Sequence, residues 1–125
     1  AKWSQALILI MPLNAETYHL VDRKVLKALG PEGYIINVAR GKIINTEDLI
    51  LALEHQEIRG CGLDVFEKEP QLPPSELLNK PNVVLAPHLG SATVGTRNAM
   101  ANLVLDNIRA YLAEGRVLTS VPELQ

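Results

Sequence analysis

Apolar residues in this chain fall into short unbroken runs, and between the runs they recur every three or four positions. The run Ala6-Leu7-Ile8-Leu9-Ile10-Met11 ends at Pro12 and Asn14, which predicts a strand covered on both faces. Asp22 then precedes Arg23-Lys24-Val25-Leu26-Lys27-Ala28-Leu29, and Gly30-Pro31 closes it, as an N-cap and a stop would for a short helix. Tyr34-Ile35-Ile36-Asn37-Val38 is a second buried strand. Thr46 is placed to cap a helix through Glu54 that carries Leu49, Ile50 and Leu53 at helical spacing.

The alternation continues. Gly60-Cys61-Gly62-Leu63-Asp64-Val65 reads as a third strand whose glycines admit close backbone approach. Pro70, Pro73 and Pro74 enforce a loop, and Ser75 caps a single turn to Leu78. Asn82-Val83-Val84-Leu85-Ala86 is the fourth strand, ending at Pro87. A long helix is expected from about Thr93 to Ala113, with Ala99, Leu103, Ile108 and Leu112 buried and Gly115 as its stop, followed by an extended tail from Arg116. Strands alternating with helical segments predict an α/β fold: a parallel sheet of about four strands with crossover helices.

Composition narrows the classes. A chain of 125 residues that is 47% apolar, without a low-complexity tract or internal repeat, suits one compact domain. A formal net charge of −2 with no basic block argues against a nucleic-acid partner. Cys61 is the sole cysteine, so no internal disulfide and no Cys-based zinc site can form, and a reducing, cytoplasmic setting is expected. No apolar run approaches the length of a membrane span, and no cleavage site follows Lys2 and Trp3.

The candidate chemistry lies just past the predicted strands, where open parallel sheets bind ligands. Arg40 offers a planar fork suited to a carboxylate and an adjacent carbonyl; the competing reading is a surface arginine. His88, between Pro87 and Gly90, carries an imidazole, a group suited to proton transfer to a carbonyl oxygen at neutral pH; a loop histidine is otherwise structural or exposed. Glu69 would keep His88 protonated and oriented if the two share a hydrogen bond, whereas spacing alone favours solvated loop charges for Glu67 and Glu69. Asp64 ends an apolar run, where an unpaired carboxylate is costly, so it needs a partner. His19 and His55 have no such setting, and the three histidines lack ligand spacing, so no metal site is expected. Gly90-Ser91-Ala92-Thr93-Val94-Gly95-Thr96-Arg97 is no phosphate loop, because no Lys-Ser or Lys-Thr follows its second glycine. No Gly-x-Gly-x-x-Gly occurs, so this chain alone should hold a dinucleotide poorly.

Three ordered segments, Asn37-Val38-Ala39-Arg40-Gly41, Gly62-Leu63-Asp64-Val65-Phe66-Glu67-Lys68-Glu69-Pro70 and Pro87-His88-Leu89-Gly90-Ser91-Ala92-Thr93, together resemble the D-isomer-specific 2-hydroxyacid dehydrogenases, as do Met11-Pro12-Leu13 and Glu16-Thr17. The resemblance is to the second half of that family's NAD(P)-binding domain, which implies a fragment: residues 1–113 as the later part of a Rossmann-type domain, and 114–125 as a tail returning toward an absent substrate domain. It implies that Arg40 binds the substrate's carboxylate and carbonyl, that His88 is the acid/base, and that Glu69 pairs with it. It implies NAD or NADP as cofactor, with Asp64 near the nicotinamide amide, Pro12 in the cofactor cleft, and Val38, Ala39, Gly90 and Ser91 lining the nicotinamide-ribose end beside Arg40 and His88.

Glu69 stands where the formate dehydrogenase branch has glutamine. Leu89-Gly90-Ser91-Ala92-Thr93 looks most like glycerate dehydrogenases and glyoxylate/hydroxypyruvate reductases, with phosphoglycerate dehydrogenase the nearest competitor. The implied partners are a small 2-oxo or 2-hydroxy acid and, for the parent, a second copy in a homodimer, with neither nucleic acid nor membrane. The chain alone is expected to be inactive. The contrasting expectation is a half-domain without catalysis that self-associates through an unpaired sheet edge.

Overall fold

In the computed structural model, residues 1–121 are described. They fall into two compact units, Ala1–Gly90 and the described residues from Ser91 onward, and each is treated by itself. The first holds a four-stranded sheet made of β1 (Ala6–Leu9), β2 (Tyr34–Asn37), β3 (Gly60–Leu63) and β4 (Val83–Leu85), with α1 (Arg23–Leu29) and α2 (Thr46–Glu54) in the first two crossovers. All pairings are parallel and the spatial order β1-β2-β3-β4 follows the chain. The expected parallel sheet of about four strands is present, with each strand shorter than its apolar run.

Register explains which face is buried. Leu9, Asn37, Leu63 and Leu85 lie side by side across the ladder, as do Leu7, Ile35, Cys61 and Val83. These two rows share a face, because side chains alternate along a strand. On it Leu9, Ile35 and Leu63 join Leu26 and Leu29 of α1 and Leu49, Ala52 and Leu53 of α2 in one core. When strand order follows chain order, crossovers of one hand fall on one side of the sheet, which brings α1 and α2 together.

The opposite face differs from expectation. Ile8 and Val84 are 57% and 70% exposed, and Ile10 and Val38 are exposed as well. Neither α1 nor α2 covers this face, so an unbroken apolar run did not mean two-sided burial here. Cys61, by contrast, points into the core, and burial pushes its thiol up to about 12.

The helix ends follow from local chemistry. Asp22 accepts from the Val25 N–H at 3.0 Å, and Gly30 ends α1 at φ 88°. For α2 the cap is Asn45, accepting from the Asp48 N–H at 3.1 Å; Thr46 is the first helical residue rather than the cap. Pro74, not Ser75, precedes a single 3-10 turn over Ser75–Leu77. Arg23 donates twice to Glu57, at 3.0 and 2.8 Å, and its backbone N–H donates to Asp48. These contacts tie α1 to the first turn of α2 and to the segment that follows it.

The second unit is led by α3 (Val94–Glu114), capped by the Thr93 hydroxyl and closed by Gly115 in the left-handed conformation. None of its residues is buried, so the expected burial of Ala99, Leu103, Ile108 and Leu112 does not occur. Leu103, Val104 and Leu105 are consecutive and point to three sides, so no single apolar stripe collects them. The tail does not run straight on from Arg116. After Gly115 it turns back, and Leu118 and Thr119 donate their N–H groups to the Asn107 side chain at 2.9 and 3.0 Å. The end of the expected tail, 122–125, lies outside the described residues.

The two sheet faces should respond differently to substitution. Ile35→Ala, at a fully buried position, is expected to lose about 2–5 kcal/mol of stability. Val84→Thr should change it by no more than about 0.5 kcal/mol. Urea unfolding of both variants checks the assignment, and equal losses would reject it.

Candidate active site

Beyond the regular strands the ladder continues for one more hydrogen bond at each step. Val38 donates to Leu9 O, Asp64 to Asn37 O, and Ala86 to Leu63 O. The loops that leave β2, β3 and β4 therefore start from one edge of the sheet, the carboxyl edge, where α/β folds place ligands.

Asp64 is the hub of this edge. Its carbonyl accepts from the His88 N–H at 2.9 Å, and its carboxylate accepts from Leu89 N–H at 2.7 Å and Gly90 N–H at 2.8 Å. The partner its position demanded is thus the backbone of the His88 turn. That turn needs holding, because His88 itself has φ 53°, in the left-handed region that a residue with a β-carbon rarely occupies.

The imidazole so presented meets Glu69. His88 Nδ1 lies 2.7 Å from Glu69 Oε2, and the other carboxylate oxygen accepts from the Phe66 N–H at 2.5 Å. Partial burial pushes the Glu69 carboxyl up, but the hydrogen bonds from His88 and Phe66 outweigh it and hold the group below the usual carboxylate range. With Nδ1 engaged by a carboxylate, the Nε2 edge of the ring faces away from Glu69.

Arg40 is fixed by its neighbours rather than by this pair. Asn37, fully buried, donates from its side chain to Arg40 O at 3.0 Å and accepts from Ala39 N–H at 3.1 Å. The Arg40 guanidinium is exposed and donates to Ala39 O at 2.6 Å, not to Glu69 or His88. The next residue must be glycine. A methyl group on Gly41 would sit 2.0 Å from the Phe66 carbonyl carbon and 2.4 Å from the Glu67 nitrogen. The Arg40 loop and the Glu69 loop are in backbone contact there.

The structure therefore joins His88 with Glu69 and gathers Asp64 and Gly90 around them. It sets Arg40 and Ala39 in the adjacent loop, with Val38 half exposed at the end of β2. Pro12 is exposed beyond β1, and Ser91 belongs to the second unit. Two residues gained contacts that spacing did not foretell. His19 Nε2 lies 3.0 Å from Glu67 Oε1, although 48 positions separate them, and Thr46 donates to Glu67 Oε2 at 2.6 Å. Asn37 was legible in principle, as a polar residue closing an apolar strand. A recess of about 600 Å³ lies beside this network, walled by His19, Thr46, Phe66, Glu67 and Leu77; Arg40, Glu69 and His88 are not among its lining residues. Among the described residues no cluster of His, Cys, Asp or Glu is arranged to hold a metal ion, and no helix is long and apolar enough to cross a membrane.

Residues 1–90 match the model of the D-isomer specific 2-hydroxyacid dehydrogenase, NAD binding domain. The chain belongs to the D-isomer specific 2-hydroxyacid dehydrogenase family. It is 47% identical over 121 residues to glyoxylate/hydroxypyruvate reductase A of Arabidopsis thaliana, covering 97% of this chain and 38% of that protein. Against the 2-ketogluconate reductase of Gluconobacter oxydans the identity is 44%, over 97% of this chain and 39% of the relative. The crystal structure of the NADPH-dependent glyoxylate/hydroxypyruvate reductase of Sinorhizobium meliloti, in complex with NADP and malonate, superposes with a TM-score of 0.89 at 50% identity. That comparison covers 95% of this chain and 37% of the other. This dehydrogenase-family chain thus spans less than two fifths of the length of the relatives it matches.

The carboxylates of the site make stability depend on pH. For Glu67, burial raises the pKa, but hydrogen bonds from Thr46 and His19 outweigh it, so Glu67 and Glu69 both lie below the ordinary 4.5. An unfolded chain then binds more protons than the folded one between those lowered values and 4.5, so the contribution is full above 4.5 and is lost as pH falls through the folded values. Urea midpoints measured from pH 7 to pH 3 should drop below pH 4.5. The drop should be shallower in a variant carrying Glu67→Gln and Glu69→Gln, with the remaining slope supplied by Glu57, lowered chiefly by its hydrogen bond from Arg23, and Glu76, lowered chiefly by a backbone hydrogen bond. An unaltered slope would contradict the assignment.

Proposed function

We propose that this chain is the later part of the coenzyme domain of a reductase that converts a small 2-oxo acid, of the glyoxylate or hydroxypyruvate type, to a D-2-hydroxy acid with NADH or NADPH. The observation that carries it is the His88–Glu69 pair, Nδ1 to Oε2 at 2.7 Å, on the carboxyl edge of a parallel sheet. The identity to glyoxylate/hydroxypyruvate reductases supports the substrate class. Residues 1–113 are assigned to the coenzyme domain and 114–125 to the segment returning toward a substrate domain.

In this reading Glu69 accepts the Nδ1–H of His88 and orients the ring, and Nε2 delivers a proton to the carbonyl oxygen. Arg40 holds the carboxylate and polarises the carbonyl through its fork. Val38, Ala39 and Gly90 are assigned to the nicotinamide-ribose end, Asp64 to the nicotinamide amide and Pro12 to the cofactor cleft; no Gly-x-Gly-x-x-Gly is present to hold a pyrophosphate. The bound nicotinamide supplies a hydride to the carbonyl carbon. The proton from His88 then completes the hydroxyl, and the imidazole is left neutral. The resemblance also brings homodimeric assembly, a cytoplasmic location and the absence of a nucleic-acid partner into this reading, the last supported by a net charge of −2 without a basic block.

The test is coenzyme oxidation with glyoxylate and hydroxypyruvate. The 125-residue chain alone should not turn over, whereas a protein joining it to the remaining length of its relatives should. In that protein His88→Ala should lower kcat by about 10²–10⁴-fold. Arg40→Ala should lower kcat/KM for the 2-oxo acid by about ten- to a hundredfold with coenzyme KM unchanged, since it removes a charge-assisted contact to substrate. With Glu69→Gln, kcat should fall as well, because the His88 ring loses the carboxylate that orients it. Unchanged kinetics in all three variants would reject the assignment.

A further inference from the structure

Glu67 is a charged group that the mechanism above leaves without a task, yet it is the best-anchored side chain of its loop. Its Oε1 is 3.0 Å from His19 Nε2; its Oε2 accepts from the Thr46 hydroxyl at 2.6 Å and from the Thr46 N–H at 3.3 Å. The carboxylate therefore sits on the first residue of α2, where the helix N-terminus favours negative charge. Both anchors are themselves held. The His19 N–H donates to Lys42 O at 2.9 Å, and its ring stacks on Tyr18 at 4.1 Å. Thr46 follows the Asn45 cap.

Two residues along from this clamp is Glu69. The peptide on the near side of Glu67 is the one pressed against Gly41, and the Phe66 N–H just before it donates to Glu69 Oε1. Loop 66–69 is thus fixed at two points: a backbone contact with Gly41 and the Glu67 side chain on His19 and Thr46. Glu69 is 32% exposed in its side chain, and one of its oxygens is already held by the Phe66 N–H of the same loop, so its aim at His88 depends on where that loop backbone is anchored.

We infer that Glu67, clamped by His19 and Thr46, is a positioning residue that sets the Glu69 carboxylate on His88, and so acts on the reduction through the catalytic pair without touching substrate. This rests on the reading of His88 and Glu69 given above. The geometry also explains why the loop has two glutamates two residues apart: one faces the α2 terminus and the other the imidazole.

The experiment has two arms. In the 125-residue chain, the Glu69 carboxyl is titrated by carbon-13 NMR, with His88 and Asp64 the other ionisable groups acting on it. Glu67→Ala should move Glu69 up toward its ordinary value, because its bonds to His88 and Phe66 loosen. Glu67→Gln, which keeps an oxygen for Thr46, should restore part of the shift, and Thr46→Val should act in the same direction as Glu67→Ala. If Glu67→Ala does not fold, the Gln and Val variants carry the measurement. An unmoved Glu69 titration in folded variants overturns the inference.

In the longer protein, Glu67→Ala should lower kcat for glyoxylate about tenfold, as loss of alignment does. Coenzyme KM should stay within about twofold. Unchanged kcat beside a moved titration also overturns the inference. A moved titration in a protein whose wild type never turns over upholds the clamp and overturns the reductase reading instead.

Discussion

The site depends on one constraint, the parallel register carried a residue past the ends of the strands. Since Val38, Asp64 and Ala86 each donate to the last residue of the preceding strand, three loops begin at one edge with their directions already set. A slip of one residue in β3 would turn Asp64 to the other face and release the His88 turn from its two carboxylate oxygens. The core beneath, built from α1, α2 and one face of the sheet, holds that register by burying Leu9, Ile35 and Leu63 together.

On this edge the polar groups form two layers. Asn37 and Asp64 spend their side chains on backbone: one ties the Arg40 loop, the other the His88 turn. Glu69 and His88, more exposed, face each other, with the second Glu69 oxygen on the Phe66 N–H. A carboxylate aligned on an imidazole orients the ring while leaving it open to solvent. The left-handed backbone at His88 is tolerated because three hydrogen bonds to Asp64 over-determine the turn.

The molecule also shows where periodicity misleads. An apolar run such as Ala6–Met11 announces a strand, yet cannot say whether one face or both will be covered; here α1 and α2 share one face. The α3 helix was legible from its caps, Thr93 and Gly115, but its apolar residues surround the axis, so spacing gave no true inward side. Asn45 displaced Thr46 as the α2 cap because its amide oxygen reaches the Asp48 N–H, and that frees the Thr46 hydroxyl for Glu67.

Local chemistry, which the chain carries in itself, determined the element order, the parallel sheet, the caps at Asp22 and Thr93, and the candidates Arg40, Glu69 and His88. Those follow from apolar runs, turn residues and the known reactivity of side chains, all short-range properties. Tertiary structure alone decided that Asp64 would bind the His88 turn, that Gly41 would bear on Phe66 and Glu67, and that His19 would reach Glu67 across 48 positions. Such contacts arise when separate loops are brought to one edge. A distance between two loops is set by the packing of everything beneath them, and no local pattern of residues encodes it.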